Sequence, residues 1–374
     1  MRLPLAFIVA AALYAQAPPP DLLVSPDIHP DRTVTFRIRA PKASEVGLYG
    51  AWMPVGKLEP MTKDAEGIWS ITTAPLEPNV YLYWFNVDGM TIADPINPRI
   101  KRRTRTSASL IDIPGTPPAP WEPREVPHGS VGIHWHESKL LQESTRQVWV
   151  YTPPGYEKSS TSYPVLYLLH GTGDVAASWT EAGNTNFILD NLIAEKKAVP
   201  MIVVMPYGHT VPHGWPNQKA AYDSGANTGL FQDYMLKEVM PWAEANLRIA
   251  PGRKNHAIAG LSMGGGQAIR VGFSNLDLFS AVGVFSSTGG QDFATRFHIL
   301  LADPKGTNTK LNILWIGVGD KDPVVTGNRM DAFIGELKKD QIHYTFRLIE
   351  GGAHTWAVWR VCLTEFAPLL FHTR

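Results

Sequence analysis

Gly260-Leu261-Ser262-Met263-Gly264 is the one Gly-x-Ser-x-Gly pentapeptide in the sequence. It follows the apolar run Ala257 to Ala259 and precedes Gly265, Gly266 and a helical pattern. A strand, a tight turn and a helix in that order present a serine hydroxyl at the edge of a sheet. Glycine is needed on both sides because such a turn is strained and side chains there would collide. A serine hydroxyl is a poor nucleophile at neutral pH, so it needs a base within hydrogen-bond reach and a third group to orient the base. The chemistry of such a set is acyl transfer through a covalent acyl-serine.

In α/β-hydrolases the chain order is Ser, then Asp or Glu after one late strand, then His after the next. His354 occupies that last place, following the strand that ends at Ile349 through the turn Gly351-Gly352-Ala353. His343 precedes that strand, His298 lies in a helical stretch and His372 sits at the terminus. Two aspartates compete for the acid, Asp320 and Asp322, both just beyond the strand Leu311 to Ile316. Pro323 favours Asp322, because it holds the preceding residue extended; Asp320 then becomes a solvated turn residue. The oxyanion made by attack on an ester needs preorganised donors, expected from the amide of Met263 and an amide of the loop His170-Gly171-Thr172-Gly173, namely that of Thr172. His170 is expected to hold that loop by hydrogen bonding.

The surrounding pattern supplies the elements that position these groups. After the proline-rich stretch 116–127, strands at Arg146 to Thr152, Pro164 to Leu169, Met201 to Met205, His256 to Ala259, Ala281 to Phe285, Leu311 to Ile316 and Tyr344 to Ile349 alternate with helices. The helices are at Phe187 to Lys197, Phe231 to Leu247, Gly264 to Phe273, Arg329 to Lys339 and Trp356 to Leu370. Apolar strands between amphipathic helices predict a mostly parallel sheet covered on both faces, an α/β-hydrolase domain over 128–374. Over 21–115 short alternating runs, such as Val34, Phe36, Ile38 and Tyr81, Tyr83, Phe85, predict a small β-sandwich. The proline-rich stretch 116–127 between them is expected to be a stiff, extended linker. Residues 1–17, with Arg2 ahead of an apolar run from Leu3 to Leu13 and small residues after it, read as a signal peptide, so the mature chain is expected in the periplasm or outside the cell.

The 374 residues carry 34 basic and 34 acidic side chains, a balance that leaves no net field for nucleic acid or an anionic membrane. The single cysteine, Cys362, excludes an intrachain disulfide and is expected to be a buried structural thiol. His134 and His136 share one face of a strand but lack a third ligand, so no metal or other cofactor is expected. The basic run Arg99, Lys101, Arg102, Arg103 and Arg105 reads as a solvated edge.

From about Val131 onward the chain resembles carbohydrate esterase family 1, which includes feruloyl and acetyl xylan esterases and is related to esterase D and the mycolyltransferases. The likeness is carried by VYTPPGY at 150–156, YLLHG at 167–171, ILDNLIAE at 188–195, VVMPYG at 203–208, AIAGLSMGG at 257–265 and HTWAVWR at 354–360. It implies a triad of Ser262, Asp322 and His354. Residues 34–41, 64–69 and 87–98 resemble the immunoglobulin-like early-set domain that precedes many such esterases and is related to glycogen-binding modules. Trp52, Trp69 and Trp84 there suit core packing, with sugar stacking as the alternative. The implied substrate is a feruloyl or acetyl ester on plant cell-wall polysaccharide, with Trp179, Trp215 and Trp356 forming a slot for a planar acyl group. Competing readings are a siderophore esterase of the enterobactin type, an acyltransferase, and a carbohydrate-binding surface protein with an inactive hydrolase domain.

Overall fold

The computed structural model describes residues 23–54, 56–141, 143–210 and 226–372. The expected signal peptide lies outside the described residues. Two antiparallel sheets open the chain. One runs Asp27–Ile28, Val34–Arg39, Ile68–Thr72, Thr62–Lys63; the other runs Glu59–Pro60, Val46–Gly50, Asn79–Val87, Ala108–Ile113, Ile100–Lys101. Phe36, Leu48, Tyr83, Phe85 and Ile111 are buried between them. Trp69 belongs to this core and Trp52 stacks on Phe36 at its margin, whereas Trp84 lies on the opposite face of its strand.

The second unit is built on eight strands: β1 (Ser130–Ser138), β2 (Glu143–Thr152), β3 (Val165–Leu169), β4 (Ile202–Pro206), β5 (His256–Leu261), β6 (Ala281–Phe285), β7 (Ile313–Gly319) and β8 (Thr345–Ile349). Their order is β1-β2-β4-β3-β5-β6-β7-β8, antiparallel at β1/β2 and β2/β4 and parallel elsewhere. Every residue of β3 to β6 is buried, as their continuous apolar runs require of strands covered on both faces. The helices Met263–Ser274 and Arg329–Lys339 cover one face, Thr185–Ala194 and Trp356–Phe366 the other. Strand β1 carries His134 and His136, which were expected to share one face of a strand. Its pairing on one side only leaves Ile133 and Trp135 exposed. The expected long helix from Phe231 begins at Ala226 and widens into a π turn over Met235–Val239, ahead of Pro241. Proline has no amide hydrogen to donate back into the preceding turn, which accounts for the local loosening. Among the described residues no helix is long and apolar enough to cross a membrane. Cys362 is fully buried, and burial pushes its thiol pKa well up, in keeping with a structural role.

Two expectations about the region between the units are corrected. The proline-rich stretch is not a free spacer: Asn184 Nδ2 donates to the Trp121 carbonyl, and Asn191 Nδ2 donates to those of Pro120 and Glu122. Its prolines leave carbonyls without local partners, and the helix Thr185–Ala194 with its cap supplies the donors. The basic run is only in part the solvated edge expected: Arg99, Arg102, Arg103 and Arg105 are exposed, whereas Lys101 is not. Lys101 is buried in an ion pair with Asp174, and Arg102 Nε lies 2.6 Å from Glu181 Oε1. These two cations dock the first unit onto the second through carboxylates, Lys101 out of water and Arg102 with its side chain still exposed.

Arg360 locks the same junction from the other side. It is fully buried on the helix Trp356–Phe366 and donates to the carbonyls of Ala182 and Val80 and to Asn79 Oδ1. Removing it takes the donor from two buried carbonyls, each worth about 1–3 kcal/mol in lost solvation. Arg360→Ala is expected to lower stability by about 3 kcal/mol or more and to make 116–127 sensitive to protease. Urea unfolding followed by tryptophan fluorescence checks this, and an unchanged midpoint would contradict it.

Candidate active site

Ser262 sits where β5 turns into the helix Met263–Ser274, with φ 52° and ψ −118°, a conformation that costs a non-glycine residue roughly 1–3 kcal/mol. Its neighbours make the turn possible. A Cβ on Gly260 would lie 2.4 Å from the Gly264 carbonyl, and one on Gly264 would lie 2.5 Å from the Leu169 oxygen. The Ser262 amide donates to the Phe285 carbonyl at the end of β6 over 2.8 Å, which anchors the strained residue to the sheet.

The acid and the base arrive on two loops pressed together. A Cβ on Gly319 would stand 2.1 Å from the Gly352 carbonyl oxygen, and the Lys321 amide donates to that same oxygen over 2.8 Å. This contact brings Asp322, fully buried, beside His354. His354 Nδ1 donates to Asp322 Oδ2 over 2.7 Å, and the Ser262 hydroxyl donates to His354 Nε2 over 3.0 Å, a tautomer assigned from the network. Asp322 has extended backbone ahead of Pro323, and its Oδ1 accepts the Val324 amide. Burial opposes its ionisation, but the bonds from His354 and Val324 outweigh burial and hold the carboxyl below the usual carboxylate range. Asp320 makes no hydrogen bond to His354. It is half-buried with Oδ1 shielded from water, which corrects its reading as a solvated turn residue.

The loop after β3 lies against the serine: a Cβ on Gly171 would be 3.4 Å from Ser262 Cβ. Thr172 lines the same cavity as Ser262, and Met263 opens its helix, where the amide has no partner inside the helix. His170 accepts the Gly208 amide at Nε2 and donates from Nδ1 to the Gly171 carbonyl, which holds the loop in place.

A cavity of about 400 Å³ opens over Ser262 and His354. Trp356 lines it. Trp179 does not: the ring is fully buried behind Trp356, edge-on at 5.2 Å, and its Nε1 donates to the Leu169 carbonyl. That position corrects its expected place in a substrate slot, because the inner side of its short helix faces the core. Trp215 lies outside the described residues. His136 is occupied with Tyr234, stacking on it and bonding its hydroxyl through Nε2 over 2.8 Å.

The opposite wall of the cavity comes from the first unit, through Tyr49, Leu82, Trp84 and Arg103. Tyr49 and Trp84 are cross-strand partners stacked at 4.1 Å. The sequence reading missed this wall, although Asn79–Val87 carries a signal for it. Tyr81, Tyr83 and Phe85 serve one face of that strand while Val80, Leu82 and Trp84 make the other face apolar too. A strand apolar in both phases needs cover on both sides.

The Esterase family profile matches residues 138–370 of this chain. The chain belongs to the esterase family. The likeness to carbohydrate esterase family 1 stands with it. The chain is 31% identical over 359 residues to an endo-1,4-beta-xylanase/feruloyl esterase of Xylanibacter ruminicola, a match covering 92% of this chain and 46% of the relative. It thus spans less than half the length of that relative. Among solved structures it is similar to a CE1 ferulic acid esterase from Anaeromyces mucronatus, with TM-score 0.57 and 24% identity over 67% of this chain and 93% of the other. The enterobactin esterase of Shigella flexneri gives TM-score 0.64 and 20% identity, covering 91% of this chain and 93% of the other. At those identities the two structures establish the shared fold.

Burial beneath the site has a consequence for acid stability. Burial, opposed by the bond to Gly171, pushes the His170 pKa down to about 4. Its unfolded value is ~6.5, so unfolding takes up a proton between those two values. The contribution is complete above the unfolded value and falls as pH drops toward the folded one, by about 2–3 kcal/mol in all. Urea midpoints measured across this window are expected to fall with pH, and less steeply in His170→Gln. An equal slope in the two proteins would contradict the assignment.

Proposed function

We propose that this esterase works through an acyl-Ser262 intermediate on hydroxycinnamoyl esters, ferulate foremost, or acetyl esters of plant cell-wall polysaccharide. The observation that carries the reading is the unbroken hydrogen-bonded line from Asp322 through His354 to Ser262, ending in a cavity walled by aromatic rings. His354 takes the serine proton as Oγ attacks the ester carbonyl. The amides of Met263 and Thr172 receive the oxyanion. His354 then protonates the leaving alcohol, and the same nitrogen draws a proton from water as that water attacks the acyl-enzyme. Asp322, ionised and buried, holds the imidazolium throughout.

Support for a planar acyl group comes from Trp356 on one wall and the Tyr49–Trp84 pair on the other, with Trp215 proposed as a further ring. The name of the Xylanibacter ruminicola relative points the same way. Its xylanase activity is not extended to this chain. A catecholate ester is the competing substrate, since the Shigella flexneri enterobactin esterase shares the fold over 91% of this chain. Export is part of the proposal and rests on Arg2 and the apolar run Leu3 to Leu13.

Parallel kcat/KM measurements on methyl ferulate, para-nitrophenyl acetate, acetylated xylan and enterobactin test the reading. Ser262→Ala is expected to abolish turnover, Asp322→Asn to lower kcat by roughly 10⁴-fold through a misoriented His354, and Asp320→Asn to change it little. Trp356→Ala should cost methyl ferulate about 3–10-fold more than the acetate, as lost ring stacking predicts. Turnover on acetylated xylan or enterobactin with none on ferulate esters would overturn the acyl-group proposal.

A further inference from the structure

The basic run from Arg99 to Arg105 holds five cations, and three of them are matched. Arg99 pairs with Asp112, Lys101 with Asp174 and Arg102 with Glu181. Arg103 and Arg105 have no carboxylate in ion-pair reach among the described residues, and of these two exposed cations Arg103 is the one that lines the cavity over Ser262. Its guanidinium lies 5.8 Å from the centre of the Trp84 ring, and Nη2 is 3.8 Å from where a Cβ on Gly173 would stand. The side chain therefore spans from the aromatic wall to the loop that faces the nucleophile. The Lys101 and Asp174 charges cancel each other beside it, which leaves Arg103 as the uncompensated charge on this wall.

A guanidinium is a rigid, permanently charged fork that binds carboxylate through two parallel hydrogen bonds, and an aromatic face beneath it keeps its plane presented. We infer that Arg103 is a specificity-determining residue that takes a carboxylate carried by the ester substrate, on its leaving alcohol or on its acyl group. A glycan ester bearing an acidic sugar presents such a group on the alcohol side. The inference rests on the hydrolase reading above and narrows its substrate class to esters with a negative charge close to the scissile bond. Because the guanidinium is exposed, the preference weakens as salt is added.

Two matched pairs of esters test it on the full chain. Cinnamoyl glycolate against cinnamoyl glycolamide places the charge on the alcohol; methyl para-carboxycinnamate against methyl para-carbamoylcinnamate places it on the acyl group. One pair is expected to show kcat/KM about tenfold higher for the carboxylate at low salt, as a charge-assisted bond to an exposed group predicts. That ratio should collapse toward one in Arg103→Gln, survive in part in Arg103→Lys and persist in Arg99→Gln, whose side chain does not line the cavity. Ratios near one for both pairs in the unaltered protein, or a preference untouched by Arg103→Gln, would overturn the inference while leaving the hydrolase reading intact. Hydrolysis of no member of either pair, with methyl ferulate also inert, would overturn both.

Discussion

The backbone of Ser262 is the constraint on which the rest of the site depends. A serine at φ 52° and ψ −118° holds its hydroxyl clear of both the strand and the helix, and that conformation is unfavourable for a side chain on its own. Three features hold it. The Ser262 amide is tied to Phe285 on β6, Gly260 and Gly264 let the turn close against β3, and the helix from Met263 packs Ala268, Ile269 and Phe273 into the core. The parallel sheet thus stabilises a locally costly geometry because the residues on either side gain more from burial than the turn loses.

The same logic of contact explains how acid and base meet. Asp322 and His354 are 32 residues apart, and neither loop alone determines their approach. Gly319 and Gly352 do, because two backbones can touch only where neither carries a side chain. The first unit adds a second layer of constraint. Arg360, Lys101 and Arg102 clamp it onto the loops beside the nucleophile, so a sheet that carries none of the triad becomes a wall of the cavity. The lining of the cavity is consequently drawn from both units, and the triad from one.

Much of this was legible in the sequence, and the parts that were not share a cause. Ser262, His354 and Asp322 were readable because each lies at a fixed place relative to an apolar strand, and the structure brings all three together. The strands β3 to β6 were readable because their burial is continuous. Trp179 was misplaced because a tryptophan in a loop-like stretch looks the same whether its ring faces the cavity or the core; here the inner side of a four-residue helix decides it. Lys101 and the proline-rich stretch were misread because their partners, Asp174, Asn184 and Asn191, lie more than 60 residues away and carry no local pattern. The aromatic wall was visible in principle, in a strand apolar on both faces.

The most direct test of the central claim, that Ser262 is the activated nucleophile, is labelling of the folded protein with a fluorophosphonate, followed by mass mapping of the modified peptide. The account predicts one adduct, on Ser262, formed rapidly in the unaltered chain and far more slowly in His354→Ala, because the base that removes the hydroxyl proton is gone. No adduct on the folded chain, or an adduct on another serine that persists in Ser262→Ala, would contradict it.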